Sequence, residues 1–320
     1  MPTFKTATVS SIEATRDGLQ RVTVDGEPAY VLTRLIGAVA VGDRVVVNTT
    51  AVDLGLGTGG AHVVHWNLAR DQWSEPGPGH IMKLRYTSLQ ADTGAAEEGL
   101  GDALPSGLAG MPVVACGLHS QMAIAAVALK EHRPAARVVY VMTDGGALPL
   151  ALSDLVADLC EAGVLDATVS AGQAFGGDHE AVNIFSGLLV ARAIGADAVV
   201  AGIGPGVVGT GTAFGHTGLD VTQIVNAAAA LGGRPIVAAR VSEADERSRH
   251  HGTSHHSEQA VRLSSVVPLV PTPRADDPPI APVLERLGLV VTTMGRGPAD
   301  DPAFFAWAAA AGAAAANMLP

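Results

Sequence analysis

The sequence predicts an α/β protein: a small, barrel-like N-terminal β-domain followed by a doubly wound, mainly parallel, Rossmann-like sheet domain. Three observations predict it. Residues 3 to about 67 alternate as short strands with turn signals between them and no stretch of helical period. From residue 111 onward, continuous apolar strands alternate with helical spacing, which implies a parallel sheet covered on both faces. Residues 70–110 show neither pattern and are rich in Pro, Gly and acidic side chains. The expected division is a β-domain over 1–75, a linker with an extended strand and a Gly-rich loop over 76–110, and a parallel α/β domain over 111–320 that ends in an Ala-rich helix.

In the first part TFKTATVSSIEA alternates, QRVTVDG runs into a turn, PAYVLTRL follows, and VGDRVVVNTT and GGAHVVHWNL supply two further strands. DQWSEPGPGH is a connector, IMKLRYTSLQ reads as one extended strand, and ADTGAAEEGLGDALPSGLAG as an acidic loop. The strands MPVVAC, RVVYVM, ATVSAG, ADAVVAGIG and RPIVAAR then alternate with the helices LHSQMAIAAVALKEH, LPLALSDLVADLCEA, HEAVNIFSGLLVARAIG and GLDVTQIVNAAAALG. SEQAVRL, SVVPLVP, IAPVLERLG and LVVTTM are expected to continue the alternation. The tail AFFAWAAAAGAAAANMLP is shorter than the roughly 20 residues that cross a bilayer. It reads as a helix over 303–318 that packs Phe304, Phe305 and Trp307 on the body or on a second subunit, so a homo-oligomer is expected.

Of the 320 residues, 48% are hydrophobic and 16% charged, with 38 Gly. Much of the apolar share is Ala and Val, which lets elements approach closely without implying a membrane. Net charge is −11, and the only lysines are Lys5, Lys83 and Lys130. No basic run could track a phosphate backbone, which argues against nucleic acid as a partner. The polar, alternating N-terminus lacks the basic and apolar regions of a signal peptide, so a cytoplasmic location is expected. Cys116 and Cys160 lie in apolar stretches and read as buried free thiols. With no CxxC pair, a thiolate zinc site is excluded.

Ligands of parallel α/β sheets bind outside the carboxyl ends of the strands. Five successive strands here are followed by polar, Gly-rich loops. They carry His119, Ser120 and Gln121; then Asp144; then Asp178, His179, Glu180 and Asn183; then His216, Thr217 and Asp220; then His250, His251, His255 and His256. The loops at the opposite edge, KEHRPA, ARAIGAD and LGGRP, are plainer. One cleft is therefore expected, with His119, Asp144, Asp178, His179 and His216 as candidate catalytic residues. Gly204-Pro205-Gly206-Val207-Val208-Gly209 matches GxGxxG. However, the helix does not open at once, Pro205 lacks an amide, and Arg240 stands where the acidic residue of a dinucleotide fingerprint belongs. An anion cradle is the better reading, with Gly204, Gly206, Gly209, Gly211, Thr217, Ser120 and Gln121 as ligand-binding candidates. In RHHGTSHHSEQA, His251, His255 and His256 are candidate ligands of a divalent metal, with Glu180 completing the shell. HExxH is absent. GLHSQ departs from a nucleophile elbow because His119 and Met122 replace the small residues that a sharp turn needs. Asp144 in TDGG fits a ligand contact or an ordinary Asp-Gly turn.

The motifs GHIMKLRYT, GLHSQ, TDGGALP, GQAFGGDHEAVN and GTGTAFGHTG, with the His-rich segment after it, span residues 79 to about 260. On these the chain resembles a bacterial family catalogued as domain of unknown function 3866. The resemblance implies a bacterial cytoplasmic protein and supplies no activity, cofactor or catalytic residue. Three functions compete: an enzyme acting on a small anionic or phosphorylated molecule, with or without a divalent metal; a non-catalytic ligand sensor; and a structural homo-oligomer.

Overall fold

The computed structural model describes residues 1–55, 60–275 and 277–320. The chain falls into two compact units, 1–93 and 94–320.

The first unit is a closed barrel of β1 (Phe4–Arg16), β2 (Leu19–Val24), β3 (Glu27–Leu32), β4 (Arg44–Asn48) and β5 (His62–Asn67), paired in the order β1-β2-β3-β5-β4. Period-two alternation turns one face of each strand inward. Val9, Val22, Val24, Val31, Val45, Val47 and Val64 fill the interior, plugged by Ile36 from a single helical turn, Thr33–Ile36. Closure follows from the length of β1. Its first half pairs with β4 and its second half with β2, with irregular register at Val9/Ser11 and Ile12/Ala14. β2 and β3 join through Asp25 and Gly26, both at positive φ, the turn that matches the twist of a two-residue hairpin. Beyond the barrel, IMKLRYTSLQ is not one extended strand. Leu84 and Tyr86 sit at positive φ and reverse the chain, so only β6 (Met82–Lys83) and β7 (Ala91–Asp92) pair.

The second unit holds a six-stranded, all-parallel sheet: β8 (Pro112–Cys116), β9 (Val138–Thr143), β10 (Ala167–Ala171), β11 (His179–Ala181), β12 (Ala198–Ile203) and β13 (Arg234–Ala238). Their order across the sheet is β11-β10-β9-β12-β8-β13. Alternate side chains of the buried strands feed two cores. Val114, Tyr140, Met142 and Val200 face helices α1 (His119–His132), α2 (Asp154–Glu161), α6 (Ala281–Arg286) and α7 (Pro302–Ala316). Val113, Val139, Val141 and Val199 face α3 (Ile184–Ala193), α4 (Asp220–Ala230) and α5 (His255–Leu263). The connections from β8 and β9 run toward β11 over the first face. Those from β11 and β12 run back over the second, so the winding reverses at β12.

Three readings of the sequence need correction. The segment HEAVN is not helical: His179–Ala181 form β11, and α3 begins only after Asn183 caps it by accepting from Phe185 and Ser186. SVVPLVP and LVVTTM add no sheet strands. Pro268 and Pro271 withhold amides, leaving Leu269 as one isolated bridge to Ile236, while Met294 and Gly295 turn at positive φ. Cys116 is buried, but Cys160 is exposed.

Helix α7 packs along α1 and buries Phe304 and Phe305 against the body. Contact is so close at Gly312 that an added Cβ would stand 2.0 Å from the Ala125 carbonyl oxygen. Gly312→Ala should therefore destabilise the protein by about 1–3 kcal/mol through overpacking, although Ala favours a helix by about 1 kcal/mol. Urea unfolding checks this; a stabilised variant would show that α7 does not approach α1 so closely.

Candidate functional site

The nominated residues lie in three places, two of them at the carboxyl edge of the sheet, and they do not share the single cleft expected from the sequence. Asp178, His179 and Glu180 belong to the edge strand β11, with Asp178 level with Thr168 toward the amino end of β10. Asp178 accepts from the Thr168 amide and hydroxyl at 2.8 and 2.9 Å, and Glu180 accepts from Gly176 N at 2.7 Å. These carboxylates fasten the short β10–β11 crossover. Four strands separate β11 from β13, which at ~4.8 Å each puts Glu180 far from the histidines that follow β13. It cannot complete their shell.

The centre of the edge lies where β12 stands between β9 and β8. His119, the first residue of α1, places Nε2 2.7 Å from Ser153 Oγ and Nδ1 3.2 Å from the Ile203 carbonyl. Ser153 Oγ also caps α2 by accepting from Val156 N. The set is consistent with one tautomer: Nδ1–H donates to Ile203, and Nε2 accepts from the serine. Tyr140 donates to the same Ile203 oxygen at 3.1 Å. Burial pushes the His119 pKa down to about 4, with its backbone bond to Ile203 opposing. Across β12, Asp220 accepts from Thr143 Oγ1 at 2.8 Å. Its pKa is raised, chiefly by burial and further by the charge of Asp144, while the Thr143 and Gly145 bonds oppose. Asp144 itself is exposed and accepts from Gln173 N. Gln121 is fully committed: it accepts from Leu118 N and donates to the Ala238 carbonyl, tying α1 to the end of β13. Ser120 is the second residue of α1, behind Leu118 at the N-cap position.

The third place joins the β12 exit loop to the start of α5. Val208 to Thr217 fold back as a small hairpin, with Thr210 N bonded to Gly215 O and Thr217 N to Val208 O. Gly206 and Gly211 are exposed at positive φ, and Gly204 lies against the Ala147 carbonyl, where a Cβ would collide at 2.3 Å. Thr217 Oγ1 accepts from Val208 N. At the base of this hairpin His216 is 7% exposed, and neither ring nitrogen makes a hydrogen bond of ordinary geometry, although the Ala213 backbone lies near enough to act on the ring. Its ring stacks on His256 at 3.7 Å between centroids and meets His255 at 5.4 Å. His255 Nε2 is also buried and unpartnered. One nitrogen from each of His216, His255 and His256 lies within 4.8 Å of the others. His250 touches both rings of α5 and bonds Ser254 Oγ at 2.7 Å. Ser254 caps α5, so the same hydroxyl orients a histidine and starts the helix. His251 is exposed and outside the cluster, because α5 begins only at His255 and no i, i+4 pair exists.

All four clustered imidazoles are held below their ordinary pKa. Burial is the first cause in each, lowering His256 to about 3 and His250 to about 4. Neighbouring histidines add to it at His256, and Arg240 and Arg247 at His250. At His216 the charge of His255 adds, while the Ala213 backbone opposes; at His255, Arg249 and Arg240 add. Beside the rings stand arginines that motif reading passed over. Arg240, 4% exposed, pairs with Asp245 at 2.9 Å, and Arg247 and Arg296 approach the same carboxylate at 2.7 and 3.6 Å. The only sequence signal was Arg240 at a strand end where a dinucleotide site would carry an acid.

With the geometry known, similarity adds one result. Residues 28–280 match the family described as protein of unknown function (DUF3866). The chain belongs to this family. No curated protein and no solved structure matches it. Among the described residues, no helix is long and apolar enough to cross a membrane.

The His119 environment makes a pH prediction. Its folded pKa of about 4 lies below the ordinary 6.5. The unfolded chain therefore takes up the proton first as pH falls, and stability present above 6.5 is lost progressively toward 4. The melting temperature should drop over that window, and His119→Gln should make the drop shallower. Identical slopes for the two proteins would show that His119 is not held neutral by the fold.

Proposed function

We propose that the carboxyl edge near β13 binds a small anionic ligand with the help of a divalent transition metal held by His216, His255 and His256. The observation that carries this reading is His216: a buried imidazole with neither nitrogen in a hydrogen bond of ordinary geometry, converging with two others on one point. A buried polar group without a partner costs about 1–3 kcal/mol, and a cation would remove that cost. Imidazole suits zinc, copper, nickel or cobalt, and the depressed pKa values keep the rings neutral, as ligation needs. At metal–nitrogen distances of about 2.0–2.1 Å, tetrahedral nitrogens stand about 3.3 Å apart. The present spread of 4.8 Å therefore has to close, and the stacked His216 or His256 ring has to turn. Ser254 fixes His250 alongside. Three protein ligands leave one position for water or ligand, the pattern of catalytic zinc centres, and this favours an enzyme over a sensor.

Protein stripped with EDTA and titrated with Co²⁺ should bind one equivalent and develop visible absorption bands. His216→Ala and His256→Ala should weaken binding at least tenfold, and His179→Ala should leave it unchanged. Because burial holds all three rings below their ordinary pKa, affinity should fall less steeply with acidification through pH 6.5 than it does for ordinary imidazoles. Absence of bands in the native protein, or equal affinity in the His216→Ala variant, would overturn the reading.

A further inference from the structure

A cavity of about 140 Å³ adjoins the histidines, and Arg240, Arg247, Arg249, His250, His256 and Gly209 are among the residues that line it. We infer that this cavity receives a phosphoryl dianion, which spans from the arginines to the metal; the inference rests on the metal reading above.

Charge is the first argument. Arg240, Arg247 and Arg296 share the single carboxylate of Asp245, and Arg296 also reaches Asp301 at 3.2 Å. Arg249 has no carboxylate partner among the described residues. Three guanidiniums line the cavity and one carboxylate, Asp245, pairs with two of them, which leaves positive charge around one small space, tempered by Glu258 beside His255, in a chain whose net charge is −11. The surrounding imidazoles are neutral ligands, so a metal there would keep its own two charges. A dianion compensates more of this positive charge than a monoanion such as a carboxylate does.

Shape is the second argument. Guanidinium presents a planar fork of donors that suits phosphate oxygens in pairs. Arg240 is buried and bonded to Asp245 through Nη2, which fixes the plane of its fork. Arg247 is held to both oxygens of Asp245, through Nε at 2.8 Å and Nη2 at 2.7 Å. The cavity thus has one buried and one tethered arginine, with the exposed Arg249 among its lining. The third argument is position. His256 lines the cavity and also belongs to the histidine triad, so an anion seated between the arginines would lie against one of the rings that would hold the metal. Gly209 lies against the cluster: an added Cβ would stand 3.5 Å from His216 Cβ and 3.8 Å from the His256 ring.

The test uses the full-length, Co²⁺-loaded protein at fixed ionic strength, titrated by calorimetry and visible absorption with inorganic phosphate, methyl phosphate and acetate. Either phosphate is expected to bind at least tenfold more tightly than acetate and to shift the cobalt bands. Preference between the two phosphates tells a phosphate ester from the free ion. Arg249→Ala removes an exposed side chain with no ion pair among the described residues, so the fold should be retained. It should weaken phosphate about tenfold, as loss of one charged hydrogen bond does, and leave Co²⁺ affinity unchanged. Arg240→Lys, which keeps the charge and loses the fork, should weaken phosphate as well. Acetate binding as well as phosphate, bands that phosphate does not move, or an Arg249→Ala variant with undiminished phosphate affinity would each overturn the inference while the metal reading stood. Absence of cobalt bands under every condition would instead sink the metal reading, and the spanning anion with it.

Discussion

The carboxyl edge depends on one constraint, the insertion of β12 between β8 and β9. Both neighbours send their connections over one face of the sheet, and β12 sends its own over the other. A crevice opens wherever adjacent strands leave in opposite directions, and here it opens on both sides of a single strand. Toward its carboxyl end the backbone packs without a side chain at two positions. At Gly202 a Cβ would stand 2.6 Å from the Cys116 carbonyl oxygen, and at Gly204 2.3 Å from that of Ala147. The carbonyl of Ile203, the last residue of β12, anchors both His119 and Tyr140. The strand that divides the edge also holds its central histidine.

The two sides of that division differ in electrostatic character. Toward β9 the edge carries Asp144 and Asp220, whose proximity disfavours having both ionised. Toward β13 it carries arginines that outnumber their carboxylates, around imidazoles held neutral. Charges of opposite sign thus flank the Gly-rich hairpin of the β12 loop. An anion approaching the edge is drawn to one side of it only.

Much of the fold could be read from the sequence, because both units rest on periodicity. Alternation gave the barrel strands, and continuous runs such as VVYVM gave the buried parallel ones. Strand order could not be read, since nothing in the run ADAVVAGI says that it pairs between β8 and β9. That one unknown decided the site. With order assumed to follow sequence, Asp178 and His179 would share a cleft with the later histidines; with the observed order they stand at the opposite edge. His255 and His256 were legible as a cluster, and His216 as a loop histidine. Their convergence was not legible, because it depends on a hairpin folding back across the end of β12. The arginines were not legible as a group, because nothing in their spacing sets Arg240, Arg247 and Arg296 around one partner. Only the shared carboxylate of Asp245 makes them a group.

The histidine cluster has a consequence for how the chain folds. His216 precedes β13 in sequence, and His255 and His256 follow it. The three rings meet only after β13 has docked beside β8 and the hairpin has closed. The unfolded chain therefore has no equivalent of this arrangement, and any ligand held by all three rings binds the folded form alone. By mass action such a ligand at a thousand times its dissociation constant adds about 4 kcal/mol to the stability of the second unit. That is a large share of the 5–15 kcal/mol by which domains usually stay folded. Scarcity of the ligand would then lower the amount of folded protein as well as its occupancy.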